Sequence, residues 1–413
     1  MTAVLLVGVG GYGKLYFEEC LKREAEGMLR IVGVIDPYIP EDKLEIIKEK
    51  NIPQFESLEE FYQTGKADLV TIASPIQFHK DQTCTALRHG SHVLCEKPIA
   101  ATNQEVLEMI EERNRSGLQV GIGYQWAFAK SILDLKKDIL DGRFGKPVKL
   151  KSIVLWPRNK QYYQRSWAGK VKDESGRWVL DSVAANATTH YLQNMFYILG
   201  KSIEESALPV NVVAETYRAN KIENYDTAAI RTTTEEGIEI LFVASHAIQR
   251  KDEYGPAFEY VFEDAVITFN ENVHDKSAGR ATIKATFHDG RVIDYGSPFD
   301  DSFNKLDVML DVARNRKTVL PCTLETASAQ SLGISGVQES VPNPGTFPRN
   351  ITNYDEEDEI VWVEALSDVL KECYNNWKMP HELGVSWAQC GNNITMTDNN
   401  LYKMVDKKVK NNI

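Results

Sequence analysis

No cysteine in this chain has a partner at a spacing that suggests a metal site. The six, Cys20, Cys84, Cys95, Cys322, Cys373 and Cys390, are isolated, with no C-x-x-C pair and no histidine at ligand spacing, so no metal is expected and the thiols are expected to be reduced. No apolar run approaches the roughly 20 residues needed to span a bilayer. Positive charge is in deficit, 47 Lys and Arg against 59 Asp and Glu for a formal net charge of -12, which excludes electrostatic attraction to a nucleic-acid backbone or an anionic membrane. The one basic stretch, Lys403 to Lys410, is interrupted by Asp406 and reads as a solvated helix end. Repeats of solenoid length and low-complexity tracts are also missing. Met1 runs straight into the apolar segment Ala3 to Val7 without a basic leader or cleavage site, so a cytoplasmic location is expected.

What is present is the composition of a folded protein, 43% hydrophobic and 26% charged over 413 residues, a length that suits two domains each able to bury a core. Short apolar runs at 3–7, 30–35, 68–73, 91–95 and 118–123 alternate with helix-length amphipathic segments at about 13–26, 41–50, 57–64, 80–89 and 102–116. Ser57 and Thr102 are the expected N-caps of two of these helices. This alternation predicts βαβ units in a doubly wound parallel sheet, with the ligand crevice at the carboxyl ends of its strands. After Tyr124 the pattern changes: a helix at about 129–141, a strand from Val148 to Leu155, a long helix at about 181–199, then strands at about 210–217, 226–234, 238–247, 258–262, 265–270, 281–287 and 291–295. Helices are expected again near 301–315 and 356–376, while 335–353 and 379–400 read as polar loops of open arrangement. The fold class is therefore α/β: a Rossmann domain over 1–125 and an α+β domain over 126–413 built on an open, mostly antiparallel sheet.

The first chemical signal follows the first strand. Gly8, Gly10 and Gly13, with Gly11 and Tyr12 between them, make a G-x-G-x-x-G loop between a strand and a helix. Glycine serves there for a tight turn, for close approach of a pyrophosphate and for close helix–strand packing, and the helix aims its free N–H groups at the phosphates. Asp36, at the end of the next strand, can accept hydrogen bonds from ribose hydroxyls but would repel a 2′-phosphate, so the expected cofactor is NAD. The competing readings are a glycine-rich turn and a turn-forming aspartate before Pro37.

Past that loop, Ser74-Pro75 and His79 follow the strand at 68–73, and Cys95-Glu96-Lys97-Pro98 ends the strand at 91–95. Together these runs resemble the Gfo/Idh/MocA oxidoreductase family, in which a Rossmann domain ending near Glu-Lys-Pro precedes a C-terminal α/β domain. The resemblance implies that Ser74, Pro75, His79, Glu96 and Lys97 border the cofactor and that Lys97 is catalytic. The ammonium would point into the crevice, since Pro98 disfavours the α region for Lys97. It also implies a histidine on a helix of the second domain with an aspartate four residues before it. His190 takes the first position, but Asn186 takes the second. An amide can orient a ring or bind a hydroxyl, yet cannot stabilise an imidazolium as a carboxylate would. Asp181, nine residues before His190, is expected to cap the helix. The family's usual arginine after the strand at 118–123 is replaced by Tyr124-Gln125-Trp126, with Trp126 expected near the cofactor and Tyr124 near substrate.

Between Trp156 and Trp167 lie Arg158, Lys160, Tyr162, Tyr163 and Arg165. Aromatic faces stack on sugar C–H faces and arginine pairs with anions, so Arg158, Tyr163, Arg165 and Trp167, with Lys97, Asn186 and His190, are the expected contacts of a carbohydrate-like substrate, acidic ones included. Solvated charge and core anchoring are the competing reading of each. The expected reaction is hydride transfer between a secondary alcohol and nicotinamide, with Lys97 stabilising charge on the oxygen and His190 as general base. The alternatives are an NAD-retaining glycosidase or lyase that oxidises its substrate transiently, and a non-catalytic NAD-responsive protein. The resemblance further implies a homo-oligomer paired through the second domain's sheet.

Overall fold

The computed structural model describes residues 1–271, 273–274, 279–316 and 318–411. Lys408 and Lys410 of the basic tail lie on the helix Asn400–Asn411, but their side chains are outside the described set. The chain divides into two compact units, Met1–Phe128 with Asp301–Ala327, and Ala129–Asp300 with Ser328–Ile413. A single cut after residue 125 therefore misassigns 301–327, which returns to the first unit.

In the first unit, β1 (Thr2–Val7), β2 (Leu29–Ile35), β3 (Gln54–Phe55), β4 (Leu69–Ile72), β5 (His92–Cys95) and β6 (Val120–Ile122) form one parallel sheet in the order β3-β2-β1-β4-β5-β6. Its strands read as near-continuous apolar runs because they are buried on both faces, as Val4, Leu5, Leu6, Leu69, Val70, Val93 and Leu94 show. Ser57 caps Leu58–Thr64 by accepting the Glu60 N–H at 3.1 Å, and Thr102 and Glu105 form a capping box at the start of Asn103–Ser116. The strand order reverses between β1 and β4, which places a crevice at their carboxyl ends.

The returning segment is fastened to this unit by charge and packing. Arg23 on the helix Gly13–Ala25 makes a paired contact with Asp307, Nε at 2.6 Å and Nη2 at 2.7 Å. Arg113 pairs with Glu325, and the Ile122 N–H donates to the Cys322 carbonyl at 2.9 Å. Gly121 has no side chain because a Cβ would lie 2.8 Å from Met309 Sδ of the helix Asn304–Ala313.

The second unit is built on one large mixed sheet. Its strands are β7 (Pro147–Leu155), β8 (Pro209–Arg218), β9 (Thr227–Thr234), β10 (Glu239–Ser245), β11 (Tyr254–Phe262), β12 (Ala265–Asn270), β13 (Lys284–Phe287), β14 (Val292–Asp294) and β15 (Gly345–Thr346). They lie in the order β14-β13-β12-β11-β7-β10-β9-β8-β15, antiparallel except for the β7–β10 and β8–β15 pairs, and a tenth strand, Ile394–Thr395, pairs antiparallel with β8 off this path. The centre of the sheet is covered on both faces. Tyr260, opposite Leu150 in register, accepts a hydrogen bond from Asn194 of the helix Thr189–Ile198 at 2.8 Å. On the other face Ile153, Leu155, Leu241 and Val243 pack with Leu366, Leu370 and Cys373 of the helix Leu366–Asn376. The stretches 335–353 and 379–400 contribute Phe347, Met379, Leu383 and Trp387 to that cluster. The chain's own residues thus occupy the middle of the sheet that the family resemblance would pair between subunits.

Three expectations change. The expected helix 356–376 is a hairpin, Thr352–Asp355 with Ile360–Val363, followed by a shorter helix. The expected helix 181–199 is broken: Val183–Ala187 is a π-helical turn, and the α-helix begins at Thr189. A further helix, Leu324–Ser340, is unannounced because two interior glycines and many small residues blur its apolar stripe. Those small residues let it pack closely: a Cβ on Gly336 would lie 2.7 Å from Val212 Cγ2 and 2.8 Å from Met396 Sδ. Gly336→Val is expected to destabilise the protein by about 1–3 kcal/mol, read from the urea midpoint at unchanged slope. A variant as stable as the parent would show that the helix does not seat there.

Candidate functional site

The first unit's site grows from the junction of β1 and the helix Gly13–Ala25. Gly8, at φ +84°, turns the chain so closely against β4 that a Cβ would lie 2.9 Å from the Ala73 carbonyl. A Cβ on Gly13 would lie 2.2 Å from the Gly8 oxygen, so the helix start is pressed onto the loop. Gly10 and Gly11 differ: the nearest atom to a Cβ on Gly10 is Asp36 Oδ2 at 3.8 Å, and nothing lies within 4 Å of one on Gly11. They border open space where side chains would fill a cradle. Tyr12 precedes the helix without capping it, and no acidic residue lies in the first turn, so its leading N–H groups face outward.

Asp36 is tied into the same loop. Its Oδ2 accepts the Val9 N–H at 2.8 Å and the Gly10 N–H at 3.2 Å, and its Oδ1 accepts the Tyr38 N–H at 2.8 Å. The carboxylate is half-buried and its four lone-pair sites leave capacity for a further donor. Open loop, unshielded helix end and ribose acid together fit NAD.

Glu96 was expected beside the cofactor, and the structure turns it inward. Oε1 accepts from the Tyr16 hydroxyl at 2.7 Å and pairs with the Lys305 ammonium, while Oε2 accepts the Lys97 N–H at 3.2 Å. Lys305 is wholly buried, with Tyr12, Tyr16 and Phe303 rings around its Nζ at 4.8, 5.0 and 5.5 Å. It also donates to the Tyr12 hydroxyl at 3.3 Å, and that hydroxyl donates to Gln125 Oε1 at 3.0 Å. Burial pushes the ammonium's pKa down, but Glu96 and Tyr12 outweigh it and hold it above the ordinary lysine value. One buried cation therefore ties the glycine loop to the strand end that carries Lys97. Lys97 itself is half-buried, and its bond to Pro98 is cis.

His79 is likewise an internal strut. Its Nδ1 lies 2.8 Å from the Pro98 carbonyl and its Nε2 2.9 Å from the Ser74 carbonyl. Burial lowers its pKa, and a neutral ring donates to only one of the two. Pro75 opens the turn Ile76–Phe78, and Ser74 Oγ donates to Gln82 at 2.6 Å. Tyr124 and Trp126, expected to face substrate and cofactor, are 1% and 2% exposed and belong to the interior.

In the second unit, β7 and β10 run parallel as neighbours, so their carboxyl ends bring the loop after Trp156 beside His246. His246 Nδ1 donates to the Trp156 carbonyl at 2.7 Å, and the Arg158 N–H donates to the His246 carbonyl at 3.2 Å. Burial, then Arg158, lower the His246 pKa to about 3, so the ring is neutral and Nε2 is an acceptor. Asn159 caps the turn Lys160–Tyr163, which sets Tyr162 between two guanidiniums, Arg158 at 5.1 Å and Arg165 at 5.0 Å from its centroid. Trp167 stands edge-on to Tyr162 at 6.0 Å and 5.6 Å from Arg165. Neither arginine forms an ion pair among the described residues. Tyr163 packs edge-on against Tyr162 at 5.1 Å, its hydroxyl buried without a partner.

Asn186 and His190 do not share a regular helix, since Asn186 lies in the π turn and His190 in the helix that follows. Asp181 is no helix cap: Ser182 fills that role by accepting the Ala185 N–H. Lys305 and His246 carry no motif that could have announced them.

A glycine loop after β1, a ribose acid after β2 and a lysine after β5, in a sheet ordered 3-2-1-4-5-6, define a dinucleotide-binding oxidoreductase domain. Residues 2–124 match the family model described as "Oxidoreductase family, NAD-binding Rossmann fold". Over those residues the chain is similar to the NAD-binding domain of the Gfo/Idh/MocA oxidoreductases. It is similar to 1,5-anhydro-D-fructose reductase of Ensifer adhaerens, 28% identical over 136 residues covering 32% of this chain and 39% of that protein. It is also similar to 2,7-anhydro-N-acetylneuraminate hydratase of Mediterraneibacter gnavus, 29% identical over 212 residues covering 51% and 52%. The chain thus spans about half or less of the length of these curated relatives. Among solved structures, the WlbA dehydrogenase of Bordetella pertussis, in complex with NADH and UDP-GlcNAcA, matches 83% of this chain and 96% of its own at TM-score 0.68 and 20% identity. That likeness establishes the fold alone.

Two outcomes separate cofactor binding from packing. Gly10→Val is expected to weaken NAD binding at least tenfold by calorimetry while leaving the Tm unchanged, because it fills open space; unweakened binding would place the phosphates elsewhere. Lys305→Met strands the Glu96 charge, and removing one partner of a buried pair costs about 3–5 kcal/mol. A denaturation midpoint equal to the parent's would show that the pair does not form.

Proposed function

We propose that this chain is an NAD-dependent oxidoreductase acting on a secondary alcohol of a sugar, cyclitol or sugar derivative. The observation that carries the reading is the joining, through Lys305 and Glu96, of the NAD-type glycine loop to Lys97 at the next strand end but one. When bound, NAD supplies the carbon that accepts or returns hydride. The chain's own residues do the rest. Asp36 receives ribose hydroxyls, and the helix start at Gly13 faces the pyrophosphate. Lys97 hydrogen-bonds the reacting hydroxyl and stabilises negative charge developing on its oxygen, and His190 removes the proton as general base. Tyr163 and Trp167 offer ring faces to sugar C–H groups, and Arg158 and Arg165 favour substrates that carry an anionic group. The two similar enzymes, both named for anhydro sugars, support this class. A cytoplasmic location and a homo-oligomer belong to the same reading.

A panel of sugars, uronates and inositols, followed by NADH absorbance, tests it. Turnover with at least one member is expected, reduced about 10²-fold or more in Lys97→Ala and in His190→Ala. Full activity in both variants would sink the assignment.

The similarity to a hydratase over 51% of the chain favours a second reading, in which one hydroxyl is oxidised transiently, a neighbouring bond is eliminated or hydrated, and the centre is then reduced again. This version builds up no free NADH and leaves solvent deuterium on the carbon beside the oxidised one. A product formed without either mark would rule it out.

A further inference from the structure

Asn186 stands where the family resemblance expects a carboxylate, and the fold supplies one from elsewhere. Asn186 Nδ2 donates to Asp181 Oδ1 at 2.8 Å, and Asp181 Oδ2 accepts the Gly169 N–H at 2.6 Å. Asp181 is 3% exposed. An ionised carboxylate only accepts, so the amide turns its NH₂ toward Asp181 and its Oδ1 the other way. In a continuous α-helix, residues five apart would point about 140° from each other. Two uncommon backbone features bring these two together. Leu180 sits at φ +48°, and the π turn Val183–Ala187 closes with the Thr188 N–H on the Val183 carbonyl at 3.1 Å. Such features cluster at functional sites.

We propose that Asp181 is a positioning residue that locks Asn186 as a hydrogen-bond acceptor for a substrate hydroxyl. The pair keeps the acceptor of the missing aspartate while the negative charge stays behind it, five residues earlier in the chain. The substrate part of this assignment rests on the oxidoreductase reading; the Asp181–Asn186 bond does not.

Asn186→Asp, which restores the family residue at almost equal volume, sets two carboxylates at hydrogen-bond distance, where they cannot both ionise. One then has a folded-state pKa above its unfolded value of about 3.9. The penalty is absent below about pH 4 and grows as pH rises through the raised value. The Tm of Asn186→Asp is expected to match the parent near pH 4 and to lie roughly 3 °C or more below it at pH 8. Its turnover is expected to fall about tenfold or more at pH 8 and to recover toward acid. The double variant Asp181→Asn/Asn186→Asp, again one carboxylate and one amide, should regain the parent's Tm profile and most of its turnover. An Asn186→Asp protein with the parent's Tm and activity profiles overturns the inference. Should that variant not fold, the double variant decides: folding with the parent's profile supports the pair, and failure to fold overturns it. If the parent turns over no alcohol, the oxidoreductase reading fails and with it the substrate contact, while the Tm profiles still decide whether Asp181 holds Asn186.

Discussion

The buried pair of Lys305 and Glu96 is the interaction on which the first unit's site depends. A charge without solvent is costly unless it is paired and hydrogen-bonded, and here each side is both. The carboxylate takes the Tyr16 hydroxyl, the Lys305 ammonium and the Lys97 N–H, while the ammonium also meets Tyr12 and its ring. Removing any of these leaves another group with no water to turn to. The phosphate loop and the reactive strand end are therefore held as one piece, by a residue 209 positions from Glu96 in the chain.

That dependence explains why 301–327 belongs to the first unit. A parallel sheet must be covered on both faces, and Leu306, Met309 and Leu310 of the returning helix are fully buried. The Arg23–Asp307 and Arg113–Glu325 pairs fasten the same segment at two other points. In the second unit the corresponding constraint is the sheet's centre, where the helix Leu366–Asn376 and the loops flanking it occupy the face opposite Thr189–Ile198. The candidate sugar-facing residues lie beyond it, at the paired ends of β7 and β10.

Local order was legible wherever period, caps and turn residues agreed. The Rossmann strands, the N-caps at Ser57 and Thr102 and the strand succession of the second unit stand within a few residues of their expected places, because each is decided by neighbours along the chain. The misses share a cause. The helix Leu324–Ser340 is stabilised by close packing of small residues rather than by an apolar stripe, and the break at Asn186 by hydrogen bonds that Ser182 and Asp181 accept and Thr188 donates. The polar loops that read as having no fixed place end in Phe347, Met379 and Trp387, whose burial depends on a distant sheet.

By itself the sequence determined the α/β class, the glycine loop, Asp36 and the NAD cofactor, since these rest on residue types at short, fixed spacings. Tertiary structure alone decided that Glu96 and His79 turn inward, that Tyr124 and Trp126 lie in the interior, that Lys305 completes the glycine-loop site and that Asp181 reaches Asn186. The physical reason is common to all of them. Pairing a buried polar group is obligatory, but its partner can come from anywhere the fold brings near, and a linear spacing carries no record of that choice.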